Sequence, residues 1–229
     1  MISFSVIIPT FNEERQIEQC IATVRAENPA AQIIVADGYS ADRTVQLARQ
    51  AAALVTCASR GRGSQCNVGA AAATGDVLLF LHADTCLPEN AFDLLQQYFK
   101  NPDVKIGAFR IRFDQRHWLL RICTALSRFD TIMTSFGDQC IVVRRSFFVA
   151  IGGYPDWPLF EDVKLLQEAR HRTRVRKFPA AVTSSARRFR DGGFARQMLR
   201  DGWYMLQYRL GVSPYKLAAQ YERIRSGTD

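Results

Sequence analysis

The chain has 229 residues, 48% of them hydrophobic, which suits one globular domain with a sizeable core and excludes a disordered chain. Its 30 Lys and Arg against 22 Asp and Glu leave a formal net charge of +8, compatible with a nucleic acid, an anionic membrane or a phosphate-bearing substrate as partner. No basic–aromatic RNA motif or recognition-helix pattern accompanies that charge, the six cysteines form no C-x-x-C pair or zinc spacing, and no apolar run approaches the roughly 18 residues of a membrane span.

The opening MISFSVIIPTFNEE lacks a basic n-region and turns polar after Pro9. It reads as a first strand, not a signal peptide, and a cytoplasmic protein is expected. Phe4 to Ile8 is a strand candidate, and Ile17, Cys20, Ile21 and Val24 have helical spacing. Ile33 to Ala36 is the second strand. Ser40 is positioned to cap a helix over residues 42–52, and Leu54 to Cys57 is the third strand. A helix over Gly63 to Ala73 and a fully buried strand over Val77 to Leu81 follow, and Pro88 opens a helix to Phe99. This order argues for a parallel sheet with helices on both faces and a ligand site beyond the carboxyl ends of the strands. The second half gives a half-exposed strand around Phe109, Ile111 and Phe113, a helix over Trp118 to Leu126 and a strand over Cys140 to Val143. Helices are expected from Ser146, from Glu161 to Arg172, from Phe194 to Leu210 and from Pro214 to Ile224.

The chemistry-bearing groups cluster at the strand ends. Pro9-Thr10-Phe11-Asn12-Glu13-Glu14, Asp37-Gly38 and His82-Ala83-Asp84 each leave a strand with a carboxylate that can accept hydrogen bonds from a base or ribose or ligate a hard cation. Each alone reads as a helix cap or a solvated loop; placed together they point to a ligand. Arg60-Gly61-Arg62-Gly63-Ser64-Gln65-Cys66-Asn67 puts two arginines among glycines at a helix start, which suits an anion. It is neither a Walker A loop nor a G-x-G-x-x-G dinucleotide pattern. Phe160-Glu161-Asp162 follows a turn-rich segment, Gly152 to Pro158; acids at a helix start also serve the helix dipole. Arg187-Arg188-Phe189-Arg190 is either a solvated face or a cradle for a diphosphate leaving group.

In this order, SVIIPTFNEE, ADGYSADRT, RGRGSQCNVGAAAATGDVLLFLHADT and FEDVKLL resemble the bacterial family 2 glycosyltransferases of the GT-A fold. FGDQCIVVRRSFF, GGYPDWPLFEDV and SSARRF are similar to a subgroup of small, soluble-looking members. The resemblance runs from Ser3 to the final helices. It implies an α/β, Rossmann-like, mostly parallel sheet flanked by helices, with C-terminal helices, in one domain over residues 1–229. Residues 1–100 would bind the nucleotide sugar, 101–190 would bind the acceptor and carry catalysis, and 191–229 would form the last helices. The implied reaction is an inverting displacement from a nucleoside-diphosphate sugar, a UDP-sugar at family level, to an unidentified hydroxyl, with Mg²⁺ or Mn²⁺. By matching position, Pro9, Phe11 and Glu13 would line the nucleoside pocket, Asp37 would bind the base, and Arg60 and Arg62 would lie near the base or phosphates. Gln65, Asn67 and Ala83 would complete the donor side. Asp84 would hold the metal with His82 as a second candidate ligand. Asp162, beside Glu161, would be the general base. Asp138 and Gln139 would meet the acceptor, and Arg187 and Arg188 the diphosphate.

Three departures stand out. The family's metal motif is typically Asp-x-Asp, whereas here His82 replaces the first acid, so metal affinity is expected to be weak until the donor diphosphate adds oxygens. No His follows His171, and Phe189 stands where related motifs often carry Trp or Tyr. The incomplete motif gives weight to a non-catalytic nucleotide-sugar-binding protein on a decayed transferase fold; the Glu161-Asp162 pair argues the other way. A sugar nucleotidyltransferase would show a Gly-rich, basic loop where this chain has Thr10-Phe11-Asn12-Glu13. Finally, Ala195, Met198, Leu199, Trp203, Leu206 and Leu210 form an apolar stripe flanked by Arg196, Arg200 and Arg209. It reads either as a core-packing helix or as an interfacial one, with peripheral membrane contact and a lipid acceptor.

Overall fold

The computed structural model of the chain describes residues 1–135 and 137–226, without the side chains of Arg188, Asp191 and residues 222–226. The first half alternates as its periodicities predict: β1 (Phe4–Thr10), α1 (Ile17–Glu27), β2 (Gln32–Asp37), α2 (Thr44–Gln50), β3 (Leu54–Cys57), α3 (Arg62–Ala71) and β4 (Val77–Phe80). Then come β5 (Thr85–Cys86), α4 (Ala91–Phe99), β6 (Ile106–Phe113), α5 (Trp118–Leu126), a 3₁₀ turn at Gly137–Gln139, β7 (Ile141–Arg144) and α6 (Arg145–Ala150). The chain continues through α7 (Glu161–Arg170), β8 (Arg176–Ser184), α8 (Arg187–Gly192), α9 (Phe194–Arg209) and α10 (Pro214–Ser226).

The eight strands form one sheet in the order β3-β2-β1-β4-β7-β6-β8-β5. β3, β2, β1 and β4 are parallel, as expected; β7 then runs antiparallel to both β4 and β6, β8 is parallel to β6, and β5 is antiparallel to β8. Period-two alternation splits each central strand between two cores. Val6, Ile8, Ile33, Val35, Leu79 and Val142 face α1 and α4. Ile7, Ile34, Leu78, Phe80 and Ile141 face α3, α6 and α7. Each such Val, Ile or Leu contributes roughly 1.5–3 kcal/mol by leaving water, so the sheet is held from both sides.

The sheet order makes β2, β1 and β4 neighbours, so the three acid-bearing segments leave one edge together. Several local expectations shift. Ser40 does not cap α2; its hydroxyl donates to Asp37 Oδ1 (2.6 Å), because that carboxylate lies three residues back and is buried. The helix after Pro88 starts only at Ala91, beyond Asn90 with its left-handed φ of 57°. β5, β8 and α8 are additional elements. The stripe on α9 does not pack into the core: Ala195, Leu199, Trp203, Leu206 and Leu210 are exposed, while Gln197, Tyr204 and Met205 are buried. α9 docks through its other face, Tyr204 against Tyr221 and Tyr208 against Phe160.

Candidate active site

The β1 end and the α3 start build one wall. The Arg60 guanidinium lies 4.3 Å above the Phe11 ring, a cation–π contact that joins two residues 49 positions apart, both expected on the donor side. Asp37, only 1% exposed, accepts from Thr10 Oγ1, Ser40 Oγ and Ser40 N, and so organises the 38–40 turn with its own oxygens. Gln65 donates its amide to the carbonyls of Thr10 (2.6 Å) and Ala36 (2.9 Å), pinning the ends of β1 and β2 together. A Cβ at Gly38 would sit 3.1 Å from Gln65 Nε2, which is why the turn leaves that position bare. Asn67 exchanges hydrogen bonds with the Tyr154 backbone in both directions. Gln65 and Asn67, expected on the donor side, therefore spend their amides on the scaffold. Pro9, at the end of β1, is half-buried, and Ala83 is buried.

Below this wall, Glu13 and Asp84 face each other across the exits of β1 and β4. Burial chiefly, and then the Asp84 charge, push the Glu13 carboxyl above its ordinary range; Arg187, 3.9 Å away, pulls it back. Arg187, expected at the diphosphate, thus stands beside the Glu13–Asp84 pair, and the Arg188 side chain lies outside the described residues. Among the described residues no three His, Cys, Asp or Glu side chains are grouped to hold a metal by themselves. Two carboxylates with substrate phosphates completing the shell is nonetheless a normal Mg²⁺ arrangement, so Asp84 and Glu13 fit a cation that arrives with a diphosphate.

The second cluster forms at the start of α7. Phe160 takes a left-handed φ of 65°, and Glu161 and Asp162 then enter the helix buried, at 3% and 8% exposure. Asp162 Oδ1 accepts from Val163 N (2.7 Å) and Oδ2 from Gly137 N. A Cβ on Gly137 would lie 3.1 Å from Asp162 Oδ2 and 3.5 Å from His82 Nε2, so His82 and Asp162 approach one point on the backbone from two directions. A side chain there would have to push the Asp162 carboxylate back by a few tenths of an ångström. Glu161 meets Arg62 at 3.4 Å. Burial drives its carboxyl up to about 7, opposed by Arg62 and reinforced by Asp162. Gln139, two residues past Gly137, donates to Thr134 O and accepts from Lys177, whose ammonium burial lowers to about 8. Asp138 sits beside it, half-buried.

Sequence reasoning gave no role to Thr10, Gly137, Tyr154 or Lys177. Thr10, Gly137 and Tyr154 each lay inside a segment singled out for other residues, whereas Lys177 carried no signal; all four matter through partners distant in sequence.

Residues 5–148 match the family described as glycosyl transferase family 2. The 4,4'-diaponeurosporenoate glycosyltransferase of Staphylococcus haemolyticus is 31% identical over 106 residues, 42% of this chain and 28% of that protein. The probable glycosyltransferase YdaM of Bacillus subtilis is 28% identical over 208 residues, 78% of this chain and 49% of that protein. The chain thus spans half or less of these two relatives. Among solved structures, residues 1–349 of S. aureus TarS superpose with a TM-score of 0.66 at 18% identity, covering 81% of this chain and 61% of that one. The mannosyltransferase PcManGT of Pyrobaculum calidifontis, in complex with GDP-Man and Mn²⁺, superposes at 0.60 with 20% identity, covering 80% and 56%. At such identities the likeness establishes the GT-A fold, and the family match over well over half of the chain establishes the rest: this protein belongs to glycosyl transferase family 2.

Proposed function

We propose that the chain transfers a sugar, with inversion, from a UDP-sugar to a hydroxyl, using Asp162 as the general base. The observation that carries this reading is the meeting of Asp162 and His82 at Gly137. A buried carboxylate is there fixed by two backbone N–H groups at the edge from which the donor-side acids emerge. Each Asp162 oxygen keeps a lone pair beyond those bonds, so the group is oriented before an acceptor arrives. The acceptor hydroxyl would hydrogen-bond to Asp162 and attack the anomeric carbon as its proton passes to the carboxylate. The bond from that carbon to the diphosphate oxygen breaks on the opposite side, and its electron pair leaves with the diphosphate. Arg187 would offset the charge that develops there.

The nucleoside is assigned to the Phe11–Arg60 stack, whose planar groups suit a base. UDP is supported by the TarS complex with UDP-GlcNAc, although the GDP-Man complex of PcManGT keeps guanine as the competing base. Asp37 acts in this reading through the turn it organises. Asp84 and Glu13 would hold a divalent cation, Mg²⁺ or Mn²⁺, which would neutralise the diphosphate when bound; PcManGT with Mn²⁺ supports the same assignment.

Titration calorimetry with UDP and Mn²⁺, beside a transfer assay on a nucleotide-sugar and acceptor panel, tests the reading. Asp162→Asn is expected to bind UDP like the wild type and to lose transfer by about 10²–10⁴-fold. Asp84→Ala is expected to lose the Mn²⁺-dependent part of UDP binding. Wild-type transfer by Asp162→Asn would refute the base assignment.

A further inference from the structure

Ten of the fourteen large hydrophobic side chains that stand exposed among the described residues fall in two stretches, 118–133 and 199–215. α5 is amphipathic yet buries only Leu120. Trp118 (65% exposed), Ile122 and Leu126 follow one another every fourth residue on a face left to solvent. On α9, Leu199 (76% exposed), Trp203 (60%), Leu206 and Leu210 form a second such face. The two helices begin together, His117 stacked on Phe194 at 3.9 Å with the rings almost parallel. That stack brings the starts of the two helices, and with them the first turns of their apolar faces, onto one part of the surface.

The charges around these faces are mostly positive. Arg116, Arg121 and Arg128 are exposed at α5, and Arg196 and Arg209 along α9, against Asp201, which is half-buried and accepts from Gln197, and the exposed Asp114 ahead of α5. An apolar stripe with Trp, rimmed by arginine, has the chemistry of a bilayer interface: the stems and rings enter the acyl boundary while guanidinium groups meet anionic headgroups. A second copy of the chain on the same face would bring two arginine sets together, and this repulsion disfavours it.

We infer that α5 and α9 together form a docking face for an anionic phospholipid bilayer. The face adjoins the cleft. Tyr208 of α9 stacks at 4.7 Å on Phe160, the residue before Glu161, and Phe189, two residues after Arg187, packs between Phe113 and Phe194. If Asp162 is the transferase base, docking would present the cleft to a hydroxyl carried by a membrane-borne acceptor; this last clause rests on the function proposed above.

Co-sedimentation with vesicles of phosphatidylglycerol and phosphatidylcholine, against phosphatidylcholine alone, tests the docking without any turnover. The wild type is expected to partition onto the anionic vesicles, less so at high salt, with a blue shift of tryptophan emission as Trp118 and Trp203 leave water. The double variant Leu199→Glu, Trp203→Glu is expected to lower that partition by about tenfold or more and to melt like the wild type, since both side chains are already exposed. Three results would overturn the inference: no binding of the wild type to anionic vesicles, binding that the double variant retains, or a dimer in light scattering that the double variant dissolves while vesicles bind neither form. A failed transfer assay beside positive vesicle binding would count against the sugar-transfer reading and leave the docking face standing.

Discussion

Glu161 is the residue whose environment does most to set its charge. Buried at 3% exposure beside Asp162, it has the Arg62 guanidinium and then a backbone N–H to favour ionisation, and burial outweighs both, raising the carboxyl from 4.5 to about 7. The folded chain thus holds this proton more tightly than the unfolded chain does. The stability that follows is fully present below about pH 4.5 and is lost as pH rises through about 7. Melting temperatures measured from about pH 5 to about pH 8 should fall for the wild type and fall less for Glu161→Gln, whose side chain stays neutral throughout. Equal slopes for the two proteins would assign the pH dependence to other groups. Asp162 itself keeps its place through backbone donors, so the pair divides into a proposed base fixed by N–H groups and a neighbour whose own charge changes near neutrality.

At the scale of elements, α3 is the clamp that brings the end of β1 and the start of α7 into one frame. Asn67 holds Tyr154 by both its N–H and its carbonyl, and a Cβ on Gly63 would press to 2.6 Å from Pro155 O, so α3 lies directly on the segment that leads to Glu161. Asn67→Ala strips partners from two backbone groups of Tyr154 and should cost about 2 kcal/mol, read by urea denaturation, with a fall in kcat larger than any change in donor affinity. Unchanged stability would mean that water replaces the amide at no cost. This clamp also marks where the sequence stopped being readable. Period-two and helical spacings were enough to place β1, β2, β3 and β4 and the helices between them, and thereby the acids at their ends. They could not tell that Asn67, inside a motif that resembles a donor loop, is occupied by a backbone 87 residues away. Nor could they find β8, whose Pro179 and whose register break against β6 between Ala108 and Arg110 erase the alternation a strand is recognised by. On α9 the spacing revealed the apolar stripe but not which side of the helix would meet the core, since that depends on where Tyr204, Met205 and Tyr208 find partners.

For the molecule as a whole, the sheet is the structure that decides whether the first half of the chain and the second half are separate bodies. β4 from the first half pairs with β7 from the second along Val77 to Phe80, and both cores draw on both halves: Leu79 and Val142 share one face, Leu78 and Leu165 the other. A boundary near residue 100 would have to cut this pairing and expose both cores, so one cooperative unit over the described chain is expected. Leu79→Ala opens a cavity on the α1–α4 side and Leu165→Ala on the α3–α7 side; each should cost about 2–5 kcal/mol. In a chain of this size that corresponds to a drop in Tm of roughly 5–15 °C. If the two halves unfold together, each variant lowers the same single calorimetric transition, and the double variant lowers it by nearly the sum, because the sites lie on opposite faces of the sheet and share no cavity. Two transitions, of which Leu165→Ala moves only one, would show instead that the parallel half folds by itself and that α7 is carried on a separate unit.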